Sequence, residues 1–208
     1  MSKYEKVNQT GMPVKLEKIL VNDEQLIWAG KPKKSAFLIN KALEMLPFAL
    51  IWLLFDAGFI VLAFSTEEAR EMLWILIPFF AVHLMPVWIW LSSILTANKK
   101  WENMEYAVTN KRIIISSGFI GIDYKSIYYK EIEKVDLKVS AIDKILKVGD
   151  IYISAKDSGT AFLDVENAYD IYPKLQEVVL DIQTDIEFPN NLRPKENDGY
   201  NTKYTKKI

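Results

Sequence analysis

Apolar positions along this chain follow two kinds of pattern, and the first leaves no polar side. Leu46 to Phe64 reads LPFALIWLLFDAGFIVLAF with Asp56 as its one charge. Met72 to Ala97 reads MLWILIPFFAVHLMPVWIWLSSILTA with no formal charge. A helix needs roughly 20 apolar residues to cross about 30 Å of hydrocarbon, and both runs are long enough. A helix buried in a water-soluble core normally keeps a polar stripe, and these keep none. The pattern predicts two membrane spans, about residues 46–64 and 72–97, folded as a hairpin over residues 45–98. Ser65 to Glu71 between them holds three Glu against one Arg, a net of −2, and is too short for anything but a tight turn.

The second pattern is short and punctuated. Glu105 to Ser116 (EYAVTNKRIIIS) predicts a strand, a turn at Thr109-Asn110-Lys111, and a second strand. Ser117-Gly118 and Gly121 mark further bends. Tyr124 to Val139 alternates over its second half, with Val135, Leu137 and Val139 on one face and Asp136 and Lys138 on the other, as in a half-buried antiparallel strand. Ala141 to Leu146 fits one helical turn. Ile151, Ile153 and Ala155 form another apolar face, Asp157-Ser158-Gly159 a hairpin turn, and Ala161, Leu163 and Val165 the return strand. Then the period changes: Ile171, Leu175, Val178, Val179 and Ile182 share one face of an amphipathic helix. Asp170 is its expected N-cap, which puts Pro173 in the first turn, where proline is tolerated.

Lys15 to Trp28 reads as an ordered lead-in, helix or strand. Met1 to Thr10 and Phe188 to Ile208 are polar, and the latter is expected to be a disordered tail. The expected fold is an α+β membrane protein. It comprises an N-terminal segment (1–44), a transmembrane helical hairpin, and a small antiparallel barrel or sandwich (101–184) capped by a C-terminal helix.

Charge sets the expected sidedness. Lys31, Lys33, Lys34 and Lys41 precede the first apolar run, and Lys99, Lys100, Lys111 and Arg112 follow the second. The positive-inside tendency places both termini in the cytoplasm and the acidic link outside, as expected of a multi-pass protein of the plasma membrane. The polar N-terminal region offers no signal peptide, so targeting is expected to come from an internal segment.

Composition removes several functions. The chain has 208 residues, no cysteine and one histidine, so disulfides, a thiolate nucleophile and Cys- or His-rich metal sites are out. A formal charge of −1 gives no reason to expect nucleic acid. No residues in sequence suggest a nucleophile beside a base, or a phosphate loop, and no enzyme activity or cofactor is expected.

The order of parts has a family likeness. DEQLIWAGKP (Asp23 to Pro32), YAVTNKRIIISSGFIG (Tyr106 to Gly121), IYYKEIEKVDLKVSAIDKILKVGDIYIS (Ile127 to Ser154) and FLDVENA (Phe162 to Ala168) occur in sequence before the last helix. The set resembles the bacterial pleckstrin-homology (PH) domain family, in particular membrane-bound members with two spans ahead of the domain. That resemblance implies a bent β-barrel or sandwich closed by a C-terminal helix, and it implies no reaction.

Three functions stay open on this reading. The first is a non-enzymatic membrane protein that displays a cytoplasmic PH-like domain to protein partners or to copies of itself. The second is an oligomer that conducts or senses ions or small molecules through Asp56 and His83. In an antiparallel hairpin turning near Glu68 those two lie about 4.5 Å apart along the axis, within hydrogen-bonding reach across the hairpin or between protomers. The alternative for the pair is separate satisfaction by backbone or water. Pro78 and Pro86 are expected to bend the second run, and Trp88, Trp90 and Trp101 to form an interfacial belt.

The third function is a lipid-headgroup sensor using Lys111 and Arg112, with Lys99 and Lys100 holding the end of the span at the anionic leaflet. Against it, Trp101 to Gln183 carries ten Lys and Arg and fourteen Asp and Glu, 10 − 14 = −4, with no dense basic cluster.

Overall fold

The computed structural model describes residues 19–65, 71–156 and 158–188, with Leu16 and Glu67 besides. Most of the acidic link, Asp157 of the expected hairpin turn, the first ten residues and the tail beyond Phe188 lie outside the described residues. The chain forms two compact units, one of Phe37–Lys99 and one of the residues up to Ala36 together with those from Lys100 onward.

In the second of these, two antiparallel sheets enclose the core. The first has strand order β1-β2-β3-β4: β1 (Leu26–Gly30), β2 (Glu105–Thr109), β3 (Arg112–Ser117) and β4 (Asp123–Tyr128). The lead-in that the pattern left undecided is therefore a strand, and β1 pairs with β2 across 74 residues of intervening chain (104 − 30 = 74), with Gly30 opposite Tyr106. A 3-10 turn at Tyr129–Glu131 carries the chain into the second sheet. That sheet has the order β5-β6-β7: β5 (Ile132–Lys138), β6 (Val148–Ala155) and β7 (Gly159–Glu166). The run read as one stretch from Tyr124 to Val139 is thus two strands in different sheets.

A short helix, α5 (Ala141–Leu146), joins β5 to β6. Ser140 Oγ accepts from the Asp143 N–H and the Asp143 carboxylate from the Ser140 N–H, a complete capping box that fixes where it starts. The long α6 (Ala168–Glu187) closes the unit, and Leu175, Val178, Val179 and Ile182 are buried against the sheets, as the 3.6-residue period required.

Its start differs from the sequence reading. The helix begins three residues earlier, because Asn167 adopts the left-handed conformation (φ 54°) and its carbonyl accepts from Asp170 and Ile171. Asparagine tolerates that conformation better than most residues. Asp170 thus sits in the first turn rather than at the cap, and Pro173 lies inside the helix.

The other unit is helical. α1 (Lys34–Glu44) leads into α2 (Leu46–Ser65), and α3 (Leu73–His83) and α4 (Met85–Glu102) follow. Among the described residues, only α2 is by itself long and apolar enough to cross a membrane; α3 and α4 meet the same requirement only as a pair bent by 53°. The bend falls at Leu84, just before Pro86, whose ring has no N–H to offer Val82. Pro78 sits within α3 without breaking it. One of the two expected proline bends is therefore present.

Candidate functional site

A concavity lies at the seam where the two sheets do not hydrogen-bond. A cavity of about 250 Å³ is walled by Ile27 and Trp28 of β1, Val108 of β2, Phe162 of β7, and Ile171, Leu175 and Val178 of α6. Exposed Asn167, Asp170 and Lys174 complete its lining. Phe162 is its rigid floor, stacked on Tyr106 at 4.7 Å and tilted against Trp28 at 5.6 Å. Tyr106 is fixed in turn, since its hydroxyl accepts from the Leu163 N–H (2.9 Å) and donates to the Leu163 carbonyl (3.1 Å). Burial raises the Tyr106 pKa, so this hydroxyl stays protonated. Apolar walls with a carboxylate, a carboxamide and an ammonium among them suit an apolar group carried by a polar ligand.

Sequence reasoning did not find this cavity. Its walls come from positions as far apart as 27 and 178, and no local spacing reports that they converge.

Of the residues singled out for lipid contact, Lys111 and Arg112 are bonded to protein. Arg112 is half-buried and gives four N–H bonds to protein: Nε to Glu24 Oε1 (3.0 Å), Nη2 to Glu24 Oε2 (3.1 Å) and to the Ile19 carbonyl (2.9 Å), and Nη1 to Ser126 Oγ (3.0 Å). Glu24 also accepts from the Thr109 hydroxyl (2.8 Å) and the Val21 N–H (2.9 Å). Burial alone would raise the Glu24 pKa, but these bonds outweigh it and hold the carboxyl below its usual range. Glu24 raises the Arg112 pKa in return.

Lys111 donates to the Asn22 carbonyl (2.7 Å), and Asn110 exchanges bonds with Asp23 and Gln25. The Thr-Asn-Lys-Arg turn is thus a clamp on residues 19–25, which lead into β1.

That turn is also remote from Lys100, which the sequence reading gave the separate task of holding the end of the span. Lys100 lies at the end of α4, near the start of β2, whereas Lys111 and Arg112 lie past its other end. Five residues of strand separate them by about 15 Å.

In the helical unit the structure brings Asp56 and His83 together, with Nδ1 and Oδ1 2.7 Å apart. Asp56 is buried at 1 % exposure, in a helix whose only other buried residue is Ala49. Its Oδ2 has no hydrogen-bond partner among the described residues. Around the imidazole stand Phe79, stacked at 5.3 Å, and Trp52 at 5.5 Å, whose indole N–H donates to the His83 carbonyl (2.8 Å). Three more indoles are also bonded to backbone: Trp88 to Ala81, Trp90 to Ala42 and Trp101 to Pro32.

A family model described as Bacterial PH domain matches residues 48–179, more than half of the chain. The chain belongs to that family. The match takes in most of α2 as well as β2 to β7, and stops within α6; β1 precedes it. Membership fits the two antiparallel sheets closed by a C-terminal helix. No curated protein and no solved structure matches this chain.

Proposed function

We propose that this PH-domain protein is an integral membrane protein that holds its PH-like domain at the cytoplasmic surface to bind a protein partner, without catalysing a reaction. The partner inserts an apolar side chain into the cavity between β1 and α6, with Asn167, Asp170 and Lys174 meeting its polar flanks. The cavity carries this reading: it is preformed, its floor is stacked aromatic rings, and its polar residues are exposed.

The membrane part is supported by the inverted burial of α2. Leu54 and Val61 are about two-thirds exposed while Asp56 is sealed away. Water would penalise that arrangement, and hydrocarbon favours it. The multi-pass topology, with α3 and α4 as one broken span and both termini cytoplasmic, rests on the flanking lysines. The Asp56–His83 bond suits a tether between helices, since each group uses the other rather than a passing ion. The commitment of Arg112 to Glu24 counts against headgroup sensing by the Lys111–Arg112 turn.

The test is site-specific photocrosslinking from Lys174 in native membranes. A partner adduct is expected, lost in Ile171→Arg, which fills the cavity with a cation while the full chain stays monodisperse in detergent. An adduct pattern unchanged by Ile171→Arg refutes the reading.

A further inference from the structure

The chain leaves the PH-like unit after Ala36 and re-enters it at Lys100. Strand pairing puts both points at one end of the sheets. β1 ends opposite the start of β2, with Gly30 across from Tyr106, and the indole N–H of Trp101 donates to the Pro32 carbonyl (2.8 Å). Lys31 Nζ lies 3.2 Å from buried Glu105 Oε1 and 5.1 Å from the Trp101 ring centre, and Lys34 Nζ lies 4.8 Å from that centre. The two crossings are tied into one anchored corner.

Two apolar tips project at this same end. The β3–β4 turn follows from β2, because Glu105 pairs with Ser116 and Ser117 with Asp123. Asn103 fastens the turn by donating to the Gly118 carbonyl (3.4 Å), and its own carbonyl accepts from Ser116 Oγ (2.8 Å). Gly118, at φ 141°, allows the bend that lifts Phe119 and Ile120 outward, 42 % and 96 % exposed.

In the second sheet, α5 lies at the end where Lys138 pairs with Asp150 and Val148 with Glu166. Lys33, three residues before the exit, donates its backbone N–H to Asp164 (2.9 Å) and its ammonium to the Leu146 carbonyl (3.1 Å). Ile145 on α5 is 80 % exposed between exposed Lys144 and Lys147.

A single exposed isoleucine needs no explanation. Two such tips, one from each sheet, both hydrogen-bonded to residues beside the chain's exits and one flanked by lysines, do. We infer that Phe119, Ile120 and Ile145 dip into the lipid surface of the membrane holding α2, and that this contact fixes the orientation of the PH-like domain. The ligand is the bilayer interface itself: acyl-chain carbon for the tips, and anionic headgroups for Lys144 and Lys147. This rests on the membrane reading above and leaves the β1–α6 cavity accessible.

The chain has no cysteine, so single reporters can be placed without background. Full-length protein carrying one fluorescent label at Ile120→Cys, Ile145→Cys, Lys130→Cys or Phe59→Cys is reconstituted into phosphatidylcholine vesicles containing phosphatidylglycerol. Some of the vesicles carry lipids with a quencher near the headgroup end of the acyl chain. Lys130 sits in the 3-10 turn at the opposite end of the unit, and Phe59 in α2.

Labels at 120 and 145 should be quenched several-fold more than the label at 130. If they are quenched no more than Lys130→Cys while a deep lipid quencher still reaches Phe59→Cys, the lipid contact is refuted and the span stands. If Phe59→Cys escapes the deep quencher, the span itself fails and the contact with it. A disulfide formed between copies of unlabelled Ile120→Cys under an added mild oxidant, with no lipid quenching of the labelled protein, would assign the tip to a second copy and overturn the inference.

Discussion

Glu24 and Arg112 stand 88 residues apart in sequence, yet each satisfies the other and the backbone around it. Breaking such a pair leaves a buried charge without its counter-ion, which costs more than the pair contributes when intact. Arg112→Met is therefore expected to destabilise the folded chain by about 3 kcal/mol, read from denaturant unfolding in detergent. Adding Glu24→Gln to it should restore part of that loss.

The pair also sets an acid response. The folded carboxyl of Glu24 titrates below the unfolded one, so its stabilisation is complete above the ordinary glutamate value of about 4.3 and fades as pH falls through the lower folded value. In Glu24→Gln this part of the acid slope disappears. Asp150 has the opposite sign. Burial raises its pKa, opposed by the bond its Oδ1 accepts from the Asp164 N–H (2.9 Å). Its ionisation therefore withdraws stability as pH rises from the usual aspartate range through the raised value, and Asp150→Asn should flatten that decline in unfolding midpoint against pH. In the helical unit, a double-mutant cycle of Asp56→Ala and His83→Ala should give a coupling of about 0.5–2 kcal/mol in micelles, the range found for hydrogen bonds between membrane helices. A coupling near zero would mean the 2.7 Å contact does not tether the helices.

At the scale of elements, local chemistry fixed some boundaries and long-range pairing fixed others. The strands after Glu105 were legible because alternation and turn residues act over a few positions. The buried face of α6 was legible because Leu175, Val178, Val179 and Ile182 keep a helical period. The start of α6 was not, because Asp170 and Asn167 have comparable capping side chains and what decided between them was the backbone of Asn167, turned into the left-handed region. Strand β1 stayed ambiguous for a different reason: what makes Leu26–Gly30 a strand is β2 and the Thr109–Arg112 clamp, both far away in sequence. The Asp56–His83 contact was within reach of the sequence because a two-helix hairpin has one geometric unknown, its turn. The cavity needed four elements placed at once, and no periodicity encodes that.

Gly118 tests how firmly the β3–β4 turn is set. A Cβ there would strike the Gly121 carbonyl oxygen, and its φ of 141° disfavours any side chain. Gly118→Ala is expected to cost about 1–3 kcal/mol and to weaken the lipid quenching at Ile120 before that at Ile145. Equal loss at both would place the strain beyond the turn.

For the whole molecule, the PH-like unit is discontinuous in sequence, assembled around an inserted apolar segment. Ile27 is buried in the core, and Ala107 and Val108 of β2 are covered with β1 in place. A chain of residues 101–188 alone would lack β1, open β2 as an unpaired edge and strip one wall from the cavity. It is expected to aggregate or to unfold without cooperativity. Joining residues 19–36 to 100–188 through a short Gly-Ser linker restores the edge, and the Trp101–Pro32 hydrogen bond shows that the two ends lie close enough for one. That joined chain should be monomeric in water without detergent, with a single sharp unfolding transition. The full chain, with the 20-residue apolar helix α2 mostly exposed, should require detergent or lipid. A cooperative, monomeric 101–188 would show that β1 is an accessory to this domain and not part of its core. A full chain that stays monodisperse in plain buffer would remove the membrane from the account altogether.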